Sequence, residues 1–184
     1  MTSELKSNGA ESKRVFKVAI LGDGGVGKTA WIQKIRTKYF KQQYNATMGV
    51  EVTPVNIGNY IFNCWDCGGQ EKLQGLKEGY CIGADAIIIM FDVTNKSSYK
   101  NAISSYREHF KVAPNVPIVL VGNKIDCKNY RAQQHILKRD QYGEDYTTYI
   151  PNCIAYIPMS VKENTNIDNP FVTLIEKFTG QKFV

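Results

Sequence analysis

The sequence predicts an α/β fold in which a mostly parallel sheet of six strands carries helices on both faces and one antiparallel strand at its edge. Two observations support this. Strand-like and helix-like segments alternate through most of the chain, which is typical of parallel sheets. The runs at 85–92 (DAIIIMFD) and 117–122 (PIVLVG) are almost continuously apolar, as are strands that are buried on both faces.

The other elements follow from residue type and spacing. Besides those two runs, strands are predicted at 15–21, 50–57, 60–66 and 153–159, and helices at 27–37, 97–112 and 170–178. The last helix is predicted because its apolar residues recur at helical spacing. Gly58 and Asn59 tolerate the positive φ of a tight hairpin turn. The hairpin they join supplies the antiparallel edge strand.

Length and composition indicate one intracellular globular domain. A chain of 184 residues with 43% hydrophobic residues suits a single compact core. We expect a disordered head at 1–13 and one domain over 14–184. No apolar run approaches the ~20 residues of a membrane span, and the polar N-terminus lacks the apolar stretch of a secretory signal.

The net charge of +6 raises the question of partners, since basic proteins often bind nucleic acid, anionic membranes or acidic proteins. Lysine and arginine are spread along the chain, so a solvated surface is the preferred interpretation. An acidic protein partner is the main alternative. No nucleic-acid motif accompanies the charge, so direct nucleic-acid binding is not expected.

The five cysteines do not suggest a disulfide framework, because their number is odd and their spacing irregular. Cys64 and Cys67 form a CxxC string, but neither a second pair nor a nearby histidine follows it. A metal or redox role is therefore not favoured. We expect Cys64 to end a strand and Cys67 to lie in a loop.

A glycine-rich phosphate-binding loop is the strongest functional signal. The stretch GDGGVGKT at 22–29 fits G-x-x-x-x-G-K-[ST] and lies between a predicted strand and a predicted helix. Glycines let successive N–H groups point at phosphate oxygens, and the helix N-terminus adds a favourable dipole. Lys28 is placed to reach the β- and γ-phosphates, and the Thr29 hydroxyl to bind Mg²⁺.

A second motif selects the base. Asn123, Lys124 and Asp126 (NKID) follow the strand PIVLVG, at the sheet edge where α/β folds bind ligands. A carboxylate at Asp126 can accept both N1–H and the 2-amino group of guanine. Adenine lacks that pair of donors and would leave the carboxylate unpaired.

The third element, DCGGQE at 66–71, also follows a strand. Asp66 can hold the Mg²⁺ shell through water, the Gly69 N–H can contact the γ-phosphate, and Gln70 can orient the attacking water. Thr47 can supply a second Mg²⁺ ligand in the triphosphate state.

Together with Ser160, Val161 and Lys162, these motifs occur in an order that resembles the Ras superfamily of small GTPases. Phe40 falls where such proteins place an aromatic ring against the base. The resemblance implies the nucleotide-binding residues Asp23, Gly24, Gly25, Val26, Gly27, Lys28, Thr29, Ala30, Phe40, Lys41, Tyr44, Thr47, Gly69, Asn123, Lys124, Asp126, Ser160, Val161 and Lys162, with Gln70 catalytic and Mg²⁺ held by Thr29, Thr47 and, through water, Asp66.

Within the superfamily, the segments at 46–55, 65–80, 88–101 and 169–171 look most like the Ran branch of nuclear-transport GTPases. That resemblance implies a GTP/GDP switch with moving segments at about 41–50 and 67–80. Its expected partners are importin- and exportin-type receptors, an exchange factor and a GTPase-activating protein. The expected location is the nucleus and cytoplasm. The end GQKFV carries no prenylation cysteine, so no lipid anchor is expected. The resemblance also implies a monomer.

The chain departs from the family pattern in four places. DCGGQ stands in place of DTAGQ, so hydrolysis is expected to differ. Val161 replaces an alanine whose base contact is mostly backbone, so little effect is expected there. Residues 140–152 look like an inserted surface loop. The acidic tail of Ran is not seen after Val184.

Two alternatives stay open. One is a Rab-type membrane-traffic GTPase. The other is a binding module that holds GTP, scarcely hydrolyses it and occupies a transport receptor.

Overall fold

The computed structural model describes residues 13–40, 46–68, 76–109, 113–127 and 150–183. Its elements in chain order are β1 (Arg14–Leu21), α1 (Lys28–Thr37), β2 (Val50–Ile57), β3 (Tyr60–Cys67), α2 (Leu76–Cys81), β4 (Ala86–Asp92), α3 (Lys96–His109), β5 (Ile118–Asn123), β6 (Cys153–Met159) and α4 (Asn169–Thr179). The predicted elements are present with ends shifted by at most three residues. The short helix α2 was not predicted, and its six residues are too few to show a helical period.

The strands form one sheet in the order β2-β3-β1-β4-β5-β6. β2 runs antiparallel to β3 at the edge, and every other neighbouring pair is parallel. This confirms the predicted α/β class. The chain builds the sheet first to one side of β1 and then to the other. The strand order therefore reverses between β1 and β4, and folds of this kind bind ligands at the carboxyl ends of the strands beside such a reversal.

Helices cover both faces of the sheet, as predicted. On one face, α1 and α4 bury Trp31, Ile35, Phe171 and Leu174 against the strands. On the other face, α2 and α3 contribute Cys81, Ala102 and Tyr106 to a second core. A sheet buried on both sides requires apolar residues at successive positions, which explains the unbroken runs of β4 and β5.

The β2–β3 hairpin turns at the predicted residues. Gly58 has φ +55°, whereas Asn59 does not enter the positive-φ region. The Asn59 carbonyl instead accepts a hydrogen bond from the Arg14 N–H at 3.2 Å. The hairpin is thereby tied to the start of β1.

Within the described part of the chain, no helix is long and apolar enough to cross a bilayer. The expected head at 1–13 lies outside these residues except for Lys13. The expected insertion at 140–152 lies outside them up to residue 149.

Candidate functional site

The loop between β1 and α1 requires glycine at two positions. Gly22 has φ +140° and Gly27 has φ +110°, values that side-chain-bearing residues rarely adopt. A Cβ atom on Gly22 would collide with the Met90 carbonyl oxygen, and one on Gly27 would collide with the Asn123 amide nitrogen. The loop therefore packs directly onto the ends of β4 and β5.

Lys28, the first residue of α1, holds a buried positive charge inside this loop. The residue is only 6% exposed. Its Nζ donates to the Gly22 carbonyl at 2.7 Å and to the Asp23 carbonyl at 3.0 Å. The N-cap of α1 is Gly27, without a side-chain capping bond. A buried ammonium beside an open helix N-terminus is a favourable environment for a phosphate group.

Three oxygen-bearing side chains meet beside Lys28. The Thr29 hydroxyl lies 2.9 Å from the Thr47 hydroxyl and donates to the Asp66 carboxylate. Asp66 is 1% exposed at the carboxyl end of β3. Hydroxyl and carboxylate oxygens are the hard donors that Mg²⁺ prefers, so this set fits the predicted metal.

The protein's share of such a metal shell would be small. Among the described residues, no three His, Cys, Asp or Glu side chains are grouped to hold a metal ion. Mg²⁺ commonly keeps several waters and binds through one or two carboxylates together with substrate phosphates. The two hydroxyls and one carboxylate here match that sparse pattern.

Asn123 joins the phosphate loop to the loops that follow β5 and β6. Its Nδ2 donates to the Val26 carbonyl at 2.8 Å, and its Oδ1 accepts from the Val161 N–H at 3.2 Å. The side chain is 2% exposed. Both ends of a buried amide are thus paired, which keeps the three loops in one arrangement.

The predicted base-reading carboxylate is held from the neighbouring loop. Asp126 Oδ1 accepts from the Ser160 hydroxyl at 2.7 Å, and Oδ2 lies 4.0 Å from the Lys162 Nζ. The Ser160 hydroxyl itself accepts from the Glu163 N–H at 3.0 Å. These contacts orient the carboxylate without using up its acceptor capacity.

Two contacts in the site were not predicted from sequence. Asp92, at the end of β4, pairs with the Lys124 Nζ at 2.7 Å. Asn101 of α3 donates from Nδ2 to the Asp23 carboxylate at 2.7 Å. Asp92 could have been found, because it directly follows an apolar strand at the ligand-binding edge. Asn101 carried no such signal.

Several predicted site residues are placed less directly. Ala30 and Phe40 are partly buried and pack against the core under α1. Their predicted nucleotide contacts stay predictions. Lys41, Tyr44, Gly69 and Gln70 lie outside the described residues.

The CxxC cysteines are separated by the sheet. Cys64 lies inside β3 and Cys67 is the last residue of that strand, so the expectations that Cys64 ends the strand and that Cys67 lies in a loop were both wrong. Their side chains belong to the cores on opposite faces, because residues three apart on a strand point to opposite sides. The two sulfurs therefore cannot bind one metal. Burial, and secondarily the charge of Asp66, raises the pKa of the Cys64 thiol, so it stays protonated.

Comparison with known protein families identifies the chain. The family described as the Ras family matches residues 17–180. That range contains the phosphate loop, the oxygen cluster around Thr29 and both loops that meet at Asp126. Because the match spans most of the chain, the protein belongs to the Ras family, whose members are GTP-binding switches of the GTPase class.

Proposed function

We propose that this protein is a Ran-like switch that binds GTP with Mg²⁺, hydrolyses it to GDP and phosphate, and engages nuclear-transport receptors in the GTP state. The position of Asn123 is the main support for nucleotide binding. Its amide binds the Val26 carbonyl and the Val161 N–H. The phosphate loop and the base-reading loops therefore lie side by side, as a single nucleoside triphosphate requires.

The phosphates of the nucleotide would be bound first by charged groups of the site. The ammonium of Lys28 contacts two carbonyls of its own loop, and phosphate oxygens are stronger partners for it because they are ionised. The hydroxyls of Thr29 and Thr47 and, through water, the carboxylate of Asp66 would hold Mg²⁺, which neutralises charge on the phosphates when bound. Asp126, oriented by Ser160, would accept the two N–H groups of guanine.

Hydrolysis is assigned to Gln70 on the strength of the family resemblance. A water molecule attacks the γ-phosphorus, the bond from that phosphorus to the β–γ bridging oxygen breaks, and GDP and inorganic phosphate leave. Gln70 orients the water, and the Gly69 N–H contacts the γ-phosphate. We expect slow hydrolysis without a GTPase-activating protein, as in other members of this class.

The Ran-like partner set is supported by the segments that resemble Ran and by the net charge of +6, which suits acidic protein partners. It comprises importin- and exportin-type receptors, an exchange factor and a GTPase-activating protein. The protein would act as a monomer in the nucleus and cytoplasm.

The first test is a pull-down of importin-β by protein loaded with a non-hydrolysable GTP analogue, beside the GDP-loaded form. Binding in the GTP-analogue state alone supports the transport role. Absence of binding in both states, with the bound nucleotide verified, rules that role out and leaves a guanine-nucleotide switch for other partners, with membrane traffic next.

A hydrolysis assay tests the enzymatic part. We expect Gln70→Leu to slow GTP hydrolysis at least about tenfold while GTP stays bound, because the attacking water loses its orienting group. Gln33→Leu, on the exposed face of α1, is the matched control and should keep the wild-type rate. Equal rates for both variants would remove Gln70 from the mechanism.

A second candidate function is a GTP-holding module with poor turnover. It is favoured by the adjacent glycines Gly68 and Gly69 in DCGGQ. An extra glycine costs about 0.5–1 kcal/mol to order next to the catalytic glutamine. Single-turnover hydrolysis with a GTPase-activating protein separates the two functions. Stimulated turnover rejects the module, whereas its absence, with recovery in Gly68→Ala, supports it.

A further inference from the structure

An ion pair lies at the carboxyl ends of β4 and β5, between Asp92 and the residue that follows its register partner. Asp92 pairs with Asn123 in the parallel ladder. Its carboxylate Oδ2 lies 2.7 Å from the Nζ of Lys124, with the two side chains 13% and 36% exposed. A half-buried pair at this distance is less screened by solvent than one on the open surface.

The carboxylate is positioned independently of the lysine. Asp92 Oδ1 accepts from the Thr94 N–H at 2.8 Å and from the Thr94 hydroxyl at 2.7 Å. The Asp92 N–H donates to the Ser98 hydroxyl at 3.0 Å, at the start of α3. Asp92 therefore presents a fixed acceptor, and Lys124, with its longer and more flexible side chain, is the member of the pair that has to be ordered.

Lys124 spans two parts of the nucleotide site. Its backbone has φ +72°, an uncommon value for a residue other than glycine. Its Nζ also donates to the Gly25 carbonyl at 2.9 Å, inside the phosphate loop. A flexible lysine loses considerable side-chain entropy when it is held in one rotamer, so a second fixed partner is needed to keep it there.

We propose that Asp92 is a positioning residue for guanine-nucleotide binding. It acts through Lys124 to hold the loop after β5, which carries Asp126, against the phosphate loop. This inference rests on the proposed function of the same site. Since Asp92 fixes Lys124 before the ligand arrives, less ordering remains for the ligand to impose, and the bound nucleotide leaves more slowly.

The test is the dissociation rate of a fluorescent GDP from the full chain with Mg²⁺ present. Asp92→Asn retains the size of the side chain and an oxygen for Thr94 but loses the charge. We expect about tenfold faster dissociation, because the amide that keeps its oxygen for Thr94 turns an N–H group toward the Lys124 ammonium, so the charged acceptor of Lys124 is lost. Asp85→Asn is the matched control. Asp85 precedes β4 at the opposite end and accepts from the Lys17 N–H at 2.7 Å, and its replacement should leave the rate unchanged.

A double-mutant cycle distinguishes positioning from general support of the fold. In a Lys124→Met background, Asp92→Asn should accelerate GDP dissociation less than twofold, because the group through which Asp92 acts is gone. A residue that merely stabilised the turn after β4 would show its full effect in both backgrounds. Thr94→Val, which removes one bond to Asp92, should give an intermediate rate.

The results distinguish a failure of the proposed role of Asp92 from a failure of nucleotide binding itself. If the wild type does not bind GDP, both are overturned. If the wild type binds and Asp92→Asn dissociates at the wild-type rate, or if the two substitutions act additively, only the role of Asp92 is overturned. Circular dichroism of each variant verifies that it is folded.

Discussion

The two ends of the sheet are built from different chemistry. At the carboxyl ends of the parallel strands, polar side chains hydrogen-bond to the loops around them: Lys28 to the Gly22 carbonyl, Asn123 to the Val26 carbonyl and Asp126 to the Ser160 hydroxyl. At the opposite end, aromatic rings pack together. The ring of Phe16 stacks on Phe178 with centroids 4.4 Å apart, and it also contacts Tyr60 and Phe62 at 6.3 and 5.7 Å.

The distribution of buried polar side chains sharpens this difference. Among the described residues, the buried side chains that are polar or charged are Lys28, Thr53, Asp66, Ser98, Asn123 and Ser160. All except Thr53 lie at, or hydrogen-bond to, the carboxyl ends of the parallel strands. Buried polar groups cost stability unless they are paired, so this concentration is expected where a ligand must be bound. The aromatic end contributes stability instead.

Substitution of Lys28 is the largest expected perturbation at the polar end. Lys28→Ala removes the buried ammonium, and we expect GDP and GTP affinity to fall by about a thousandfold or more, because ionised phosphates lose a charged partner. Lys34→Ala, in the last turn of the same helix, should bind normally. Equilibrium titration with fluorescent nucleotide measures both. Nanomolar binding by Lys28→Ala would contradict the role of the loop.

Asp126→Asn should change which base is bound. An amide offers guanine one acceptor and one donor where the carboxylate offers two acceptors, so we expect guanine affinity to fall at least about a hundredfold and xanthine nucleotides to bind better. Competition between GDP and xanthosine diphosphate measures this. Asp168→Asn, before α4, is the control. A variant that still prefers guanine would show that another group reads the base.

Phe16→Ala tests the aromatic end. The half-buried ring contacts three others, so we expect the free energy of unfolding to fall by about 2 kcal/mol. The preference between GDP and GTP should not change. Tyr39, 78% exposed, gives the control: Tyr39→Ala should cost less than about 0.5 kcal/mol. Urea unfolding compares them. A shifted nucleotide preference in Phe16→Ala would show that the two ends are coupled.

The smallest expected effect is at the link between α3 and the phosphate loop. Asn101 is exposed, and its bond to Asp23 is a single contact, so Asn101→Ala should weaken GDP binding only about twofold to threefold. Ser104→Ala, also exposed on α3, should have no effect. Stopped-flow dissociation resolves such differences. A tenfold change for Asn101→Ala would mean that α3 controls the phosphate loop more strongly than one hydrogen bond allows.

Much of the fold was predictable because its signals are local. The apolar runs of β4 and β5 mark strands buried on both faces. Gly22 and Gly27 mark a loop that has no room for a side chain at those two positions. The sequence did not predict that Cys67 belongs to β3 or that the helix α2 exists. Where β3 ends depends on its pairing with β2, in which Cys67 is opposite Val50, and that pairing is not visible in the local sequence.

Residue types within short stretches of chain were enough to predict the α/β class, the glycine-rich loop at 22–29 and the NKID motif at 123–126. They could not predict that Asn123 binds the Val26 carbonyl, that Asp92 pairs with Lys124 or that Asn101 binds Asp23. These contacts join residues from different strands, loops and helices. They depend on the order and register in which the strands assemble, which is a property of the packed sheet and not of any one segment.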